Sequence, residues 1–157
     1  MRDDHDLILT GDAIEAIEAA KRLISADAAD AAKLRAISVN RRNNIAARVA
    51  AIYALGFADN EQIAGAALQE IVADREDDEE CRAHAAEALA HLGPPGTIAL
   101  LEKILATGDD SPQVKRWCVY ALGEIGGPKA RNALTKFAKT KPTGAIADEL
   151  RMALARR

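Results

Sequence analysis

The residues of this chain that could take part in catalysis or hold a metal are few, and most lie near its middle. Cys81 and His84 are three residues apart, one turn of a helix, a spacing compatible with two ligands of one metal ion. His84 and His91 are two turns apart, about 10.5 Å along a helix, too far to share an ion. A zinc site needs two more ligands, and the sequence indicates none. We therefore predict no metal and no other cofactor.

Motifs for nucleophilic or phosphate chemistry are not recognisable either. Ser25, Ser38 and Ser111 have no evident histidine and aspartate partners that could activate a hydroxyl. No glycine-rich loop stands between a strand pattern and a helix pattern, so a phosphate-binding loop is not indicated. The sequence therefore predicts a protein that is not an enzyme.

A second set of side chains is typical of binding surfaces. Positions three, four and seven residues apart share one face of a helix. In three alanine-rich segments this face holds both tyrosines, the only tryptophan and two of the three histidines. Aromatic side chains and arginine often anchor interfaces, although the tyrosines could instead fill gaps between helices. The predicted partner-binding residues are Tyr53, His84, Glu87, His91, Arg116, Trp117, Tyr120 and Glu124, on a face that also includes Val49, Ala50, Phe57 and Ala83.

These segments belong to an internal repeat of about 33 residues. Gln113–Gly126 aligns with Glu80–Gly93 and with residues 46–59, each copy being an alanine-rich stretch with a base near its start. A second marker keeps the same period. It comprises Leu34-x-x-Ile37, Leu68-x-x-Ile71, Leu101-x-x-Ile104 and Leu134-x-x-Phe137. A period of this length predicts a solenoid, in which each unit buries its apolar face on its neighbours.

Composition and charge agree with a helical array. Only 3% of the 157 residues are aromatic, which suits close helix packing better than sheet packing. Residues 1–110 carry a net charge of −10 and residues 111–157 a net charge of +7, so the array is expected to be polar along its axis. Met1–Thr10 lacks the basic and apolar regions of a signal peptide. Cys81 and Cys118 are interpreted as buried thiols, and the predicted location is the cytoplasm.

The helix and turn signals predict nine helices in one domain, residues 1–157. Met1–Thr10 is expected to be a frayed lead-in. Asp12 and Asp27 are candidate N-caps, and Pro112 suits the first turn of a helix. The predicted elements are an N-terminal helix at 11–25 and helix pairs at 27–57, 60–92, 95–125 and 128–156.

The repeat resembles the HEAT-repeat family, in particular the short bacterial branch named for the phycobilisome lyases. The family's Val-Arg pair is matched by Ala47-Arg48, Cys81-Arg82 and Val114-Lys115. Its Ala-Leu-Gly is matched by Ala54-Leu55-Gly56, Ala88-Leu89-Ala90 and Ala121-Leu122-Gly123. The resemblance covers about residues 27–157. It implies an all-α, right-handed α-solenoid of about four helix pairs plus an N-terminal capping helix, with the second helices lining a concave groove.

The resemblance also implies roles for the bases of the repeat. Arg48, Arg82 and Lys115 are expected to turn toward the loops and pair with acids there. The candidate acids are Asp77, Asp78, Asp109 and Asp110. The chain is similar to deoxyhypusine hydroxylase over residues 81–89, but the His-Glu dyads that hold iron in that enzyme are absent from the matching positions, which argues against that activity.

The predicted function is a non-catalytic interaction module or scaffold that binds another protein through its concave groove. Trp117 is expected to be free of the repeat core and available to the partner. A first alternative is a lyase-type or chaperone-like subunit acting on a bilin-carrying protein. A second is nucleic-acid binding through a basic C-terminal stretch, against which the pI near 5.6 argues. The charge asymmetry also predicts weak head-to-tail self-association at low salt. The basic stretch comprises Lys129, Arg131, Lys136, Lys139 and Lys141.

Overall fold

Alternating helices build the whole described chain. The computed structural model describes residues 1–24, 28–108 and 111–156, and over these ranges it contains ten α-helices and no strand. The helices are α1 Asp4–Thr10, α2 Ala13–Arg22, α3 Ala28–Val39, α4 Ile45–Leu55, α5 Glu61–Ala73, α6 Glu79–Leu92, α7 Thr97–Ala106, α8 Pro112–Ile125, α9 Gly127–Ala138 and α10 Gly144–Ala155.

The helices form two layers. In the first, here called the inner layer, α2, α4, α6, α8 and α10 each contact the next member. In the outer layer α3, α5, α7 and α9 do the same, and each packs on the inner helix that follows it in the chain. This stacking of helix pairs is an α-solenoid, as the repeat period predicted.

The N-terminal end differs from the sequence prediction. Met1–Thr10 was expected to fray, but it forms α1, which packs on α2 and α4. Asp3 caps α1 by accepting a hydrogen bond from the Asp6 amide at 2.8 Å, and Ile8 is fully buried. Arg22 pairs with Asp4 at 2.7 Å and fastens the two helices together. The expectation was wrong because a single helical turn with one buried residue is too short to show a period.

Side-chain caps set several helix starts where the sequence placed them. Asp12 and Glu15 form the predicted capping box on α2, with bonds of 2.9 Å and 3.1 Å to the backbone amides. Asn60 caps α5, and Pro112 occupies the first turn of α8 behind the N-cap Ser111. The proposed cap Asp27 lies outside the described residues.

The glycine of the Ala-Leu-Gly marker allows neighbouring inner helices to approach closely. A methyl group added at Gly56 would lie 2.9 Å from the Ala88 side chain, and one at Gly123 would lie 2.7 Å from the Ala153 side chain. Such contacts are too short for carbon atoms, so both positions favour glycine on packing grounds. The repeat therefore conserves space between helices, which explains why alanine dominates the core.

Arg48 and Arg82 connect the two helices of their pairs. Arg48 is 1% exposed and donates from Nε to the Ser38 carbonyl at the end of α3, at 2.8 Å. Arg82 makes the equivalent bond to the Val72 carbonyl at the end of α5, at 3.2 Å. Each arginine thus ties the start of an inner helix to the end of the preceding outer helix.

Asp77 completes the site around Arg48, as predicted. The guanidinium donates two hydrogen bonds to its carboxylate, at 2.7 Å and 2.6 Å. Burial alone would raise the pKa of Asp77, but the hydrogen bonds from Arg48 and from the Asp78 amide, with the charges of Arg48 and Arg41, lower it below its ordinary value. Asp78, expected to be another partner of the bases, instead caps α6. Asp109 and Asp110 lie outside the described residues.

Both cysteines are buried, as the sequence indicated. Burial raises the pKa of the Cys81 thiol to about 11. The thiolate is therefore strongly disfavoured at neutral pH, and Cys81 acts as a small apolar core residue.

Candidate functional site

The solvent-facing side of α4, α6, α8 and α10, here called the groove face, carries side chains at repeated positions. Spacings of 34, 33 and 32 residues relate the helices in order. Three rows of equivalent residues result: Ala50, His84, Trp117 and Glu149; Tyr53, Glu87, Tyr120 and Met152; Phe57, His91, Glu124 and Arg156. Seven of the eight predicted partner-binding residues belong to these rows, and Arg116 lies beside them.

Three rings lie together at the α4/α6 end of the groove face. Tyr53 and Phe57 have ring centroids 5.2 Å apart and are tilted by 56°, and His91 stacks on Phe57 at 4.9 Å. Tyr53 is 41% exposed and Phe57 43% exposed. These rings line a cavity of about 40 Å³ together with His84, Glu87 and Ala88. We call this set the α4/α6 ring cluster.

Glu87 is the acidic group of the α4/α6 ring cluster. Its carboxylate lies 3.3 Å from Nδ1 of His84, and both side chains are about one third exposed. It also acts on the next helix. Burial raises the pKa of Tyr120, and the negative charges of Glu124 and Glu87 raise it further. Glu87 therefore lies between the two aromatic regions of the groove face and contributes its charge to both.

The α8/α10 end also contains aromatic rings, but arginines of the same chain cover them. Trp117 and Tyr120 meet edge to face at 5.1 Å. The guanidinium of Arg156 lies 5.2 Å from the centre of the Tyr120 ring, and its Nη2 is 3.1 Å from Glu124. Arg116 lies 5.9 Å from the Trp117 ring. We call this set the α8/α10 ring cluster.

Comparison with known families explains this layout. Residues 68–155, more than half of the chain, match the family described as HEAT repeats. The chain belongs to the HEAT-repeat family. Its match begins in α5 and ends at the last residue of α10, so it includes three of the four helices of the groove face. No curated protein matches the sequence. The likeness to the phycobilisome-lyase branch stays a prediction.

The HEAT frame corrects three of the groove positions expected from the sequence. Ala50 and Ala83 are buried, at 0% and 1% exposure, because inner helices approach too closely there to leave a methyl group in solvent. Trp117 is only half-buried but packs against the core, so it is not free of the repeat as expected. Its ring extends past its own helix to α8's neighbours, a reach that small residues at this row do not have.

Two residues of the last HEAT inner helix complete the groove face and were not predicted. Glu149 is 5% exposed, and Arg116 Nε lies 3.7 Å from its Oε2, while Oε1 has no hydrogen-bond partner. Arg156 was not assigned a role. Both were missed because α10 lacks the Ala-Leu-Gly marker and is offset by 32 residues. The pairing of Arg156 with Glu124 follows the row, so extending the period by eye would have found it.

Groups that could support other functions do not lie on the groove face. Cys81 is fully buried while His84 is half exposed, so the two do not face a common metal position. In the described part of the chain, the group with metal-compatible spacing is Asp3, His5 and Asp6 at the start of α1, with atoms within 4.8 Å. An exposed acidic group of this kind is common without an ion.

The basic stretch of α9 is partly engaged within the protein. Lys136 pairs with Glu102 at 2.7 Å, and Arg131 donates to the Leu154 carbonyl at 3.1 Å. Among the described helices, none is both long and apolar enough to cross a membrane.

Proposed function

We propose that this HEAT-repeat chain is a non-catalytic interaction module, and that its groove face binds a segment of another protein. One observation carries the proposal: four of the five aromatic residues lie on the groove face, and none of the four is fully buried. The fifth, Phe137, is in the core. A chain that packs its core with alanine and leucine has little structural need for these rings.

Physical chemistry supports binding at this face. Large apolar side chains that remain in water gain free energy when a partner covers them, and clustered aromatics with neighbouring charges are the usual anchors of interfaces. The rings of both clusters lie beside carboxylates and arginines, so a partner can be held by apolar contact and oriented by charge. HEAT helices hold these groups at fixed spacing, which lowers the entropy cost of binding.

The test is recovery of the partner from native extract, identified by mass spectrometry. The double variant Tyr53→Ala, Phe57→Ala should lose at least about 2 kcal/mol of binding, the scale of interface hot spots. The matched control is Ile14→Ala, which removes an exposed apolar side chain from α2, outside the rows. Full recovery by the double variant would show that the partner binds elsewhere.

A lyase-type or chaperone-like role on a bilin-carrying protein is a second candidate. It is supported by the repeat motif itself, in which Ala54-Leu55-Gly56 and Ala121-Leu122-Gly123 match the phycobilisome-lyase pattern. A bilin held on the groove face should change its visible absorption when mixed with the protein. An unchanged spectrum at saturating protein would eliminate this candidate and leave the interaction module.

Weak head-to-tail self-association is a further prediction, supported by the charge distribution. The chain's first 110 residues are acidic and its last 47 basic, and exposed charges attract over about 10 Å at 0.1 M salt but only about 3 Å at 1 M. Sedimentation should show association at low salt that disappears as salt is added. A monomer at both ionic strengths would contradict it.

A further inference from the structure

We propose that the α4/α6 ring cluster is a binding site for an alkylammonium group, namely the side chain of a lysine in the partner segment. The inference rests on the proposed function, because it names the chemical group that the partner contributes. The site consists of the faces and edges of Tyr53, Phe57 and His91, the carboxylate of Glu87 and the small cavity between them.

The chemistry of the lining selects a cation. The faces of aromatic rings carry negative electrostatic potential and attract ammonium and guanidinium groups within about 6 Å. Glu87 adds a full negative charge at the same cavity, and its printed ion-pair neighbour in the described chain is a histidine, His84, not a lysine or arginine. The nearest ammonium of the chain that acts on Tyr53 is Lys21, which is already paired with Glu18 at 2.8 Å.

The size of the cavity favours lysine over arginine. A volume of about 40 Å³ has room for a compact group of a few atoms, on the order of an ammonium and its last methylene. A guanidinium is planar, wider and held best by two parallel hydrogen bonds to a carboxylate. Two more spacious depressions, of about 410 Å³ each, lie beside Pro94 and Pro95, but no aromatic ring lines them.

The α8/α10 ring cluster shows the same recognition within the molecule. There a cation from the next inner helix, Arg156, lies over Tyr120 and pairs with Glu124. In the repeat, Tyr53 is equivalent to Tyr120, and His91 is equivalent to Arg156. The α4/α6 ring cluster thus has the tyrosine and a carboxylate but no built-in arginine, and a cation from outside takes its place.

The surrounding charge favours a basic segment. Residues 1–110, which contain the whole α4/α6 ring cluster, hold 21 acids and 11 bases. A field of this sign raises the local concentration of a lysine-rich partner and steers it to the face.

The experiment is an NMR titration of the full chain with n-butylammonium, a probe of the lysine side chain, and with n-butanol and butyrate as neutral and anionic analogues. Ring signals of Tyr53, Phe57 and His91 should shift with saturation for the ammonium only. Glu87→Gln should weaken this binding at least about fivefold, since it removes the charge but keeps the shape. Phe57→Leu should weaken it similarly by removing a ring. Glu124→Gln is the matched control and should bind the probe as the wild type does.

Each other outcome decides the question. Equal shifts with butanol, or no effect of Glu87→Gln, would show an apolar depression only and overturn the proposal. Preference for butyrate, or no saturable shift, would overturn it as well. Both variants replace side chains at least one third exposed, and thermal unfolding checks that they fold. The proposed function fails separately: a wild-type chain that recovers no partner but binds butylammonium keeps the site, while unaltered partner recovery by Glu87→Gln with a flat titration removes the site and keeps the function.

Discussion

The two ends of the groove face are built from the same repeat and yet differ in what they leave open. At α8/α10 the chain places Arg156 over Tyr120 and pairs it with Glu124. At α4/α6 the equivalent position holds His91, and the neighbouring Tyr53 and Phe57 stay more than 40% exposed. The repeat fixes where side chains lie, and one residue per row decides whether a ring is covered from within or available to a partner.

The two ends also differ in how the inner helix is fastened. Arg48 of α4 is buried and forms a bidentate pair with Asp77, whereas Lys115, at the same repeat position in α8, is only half-buried. A buried base is held by several bonds at once, while a half-exposed lysine is also solvated by water. We expect the open binding end to stand on the more rigid support.

The largest expected effect comes from that support. Arg48→Met leaves Asp77 as a buried carboxylate without its main partner and should cost about 3–5 kcal/mol of unfolding free energy. Lys115→Met should cost less than about 1 kcal/mol. Chemical denaturation of both variants measures this. Equal losses would mean that the two ends are fastened alike.

The aromatic residues should differ next. Trp117 packs against the core, so Trp117→Ala should cost about 1–3 kcal/mol of stability, below the 3–5 kcal/mol of a fully buried tryptophan. Tyr53→Ala should cost less than about 1 kcal/mol because its ring is largely in water. Thermal unfolding gives both values. If Tyr53→Ala were the more damaging, the α4/α6 rings would serve the core rather than a partner.

Acid should weaken the support of the α4/α6 end. The pKa of Asp77 is lowered in the folded state, so its ionised form contributes stability that is complete above the ordinary value of 3.8 and is lost as pH falls through the lower folded value. The wild type should therefore lose stability below about pH 4 more steeply than Asp77→Asn, which has no proton to bind there. Denaturation at several pH values measures the slopes. Parallel slopes would contradict the paired carboxylate.

The smallest effect on stability should come from uncovering the α8/α10 end. Arg156→Gln removes an ion pair that is about one third exposed on each side, which is worth under about 1 kcal/mol. The variant should then bind butylammonium at Tyr120 as well as at Tyr53, seen as shifts of both tyrosine rings. A Tyr120 signal that stays unmoved would show that the two ends do not share one recognition chemistry.

The repeat made the helices predictable, but not all of the site. Two markers with one period placed Thr97–Ala106 correctly and the other helices of the array to within about two residues, because packing of identical units repeats the same apolar and small positions. Arg48 and Asp77 were also foreseen, since a buried base requires an acid. The short α1 was missed, as it has no repeat partner.

The groove face was predictable only as a direction. Periodicity indicates which side of a helix is not core, but not how far a ring such as Trp117 reaches into it. Whether Tyr120 is covered depends on Arg156, 36 residues away and in a helix without the sequence marker. Contacts of this kind depend on the spacing of helices in three dimensions, which a single sequence does not state.

The most direct test of the central claim is site-specific photo-crosslinking in native extract. A photoreactive phenylalanine replaces Phe57 on the groove face in one sample and Lys103 on the outer helix α7 in a second. A module that binds through its groove face should give a defined protein adduct from position 57, attached to a peptide that contains lysine, and none from position 103. The same adduct from position 103, with none from position 57, would contradict binding at the groove face.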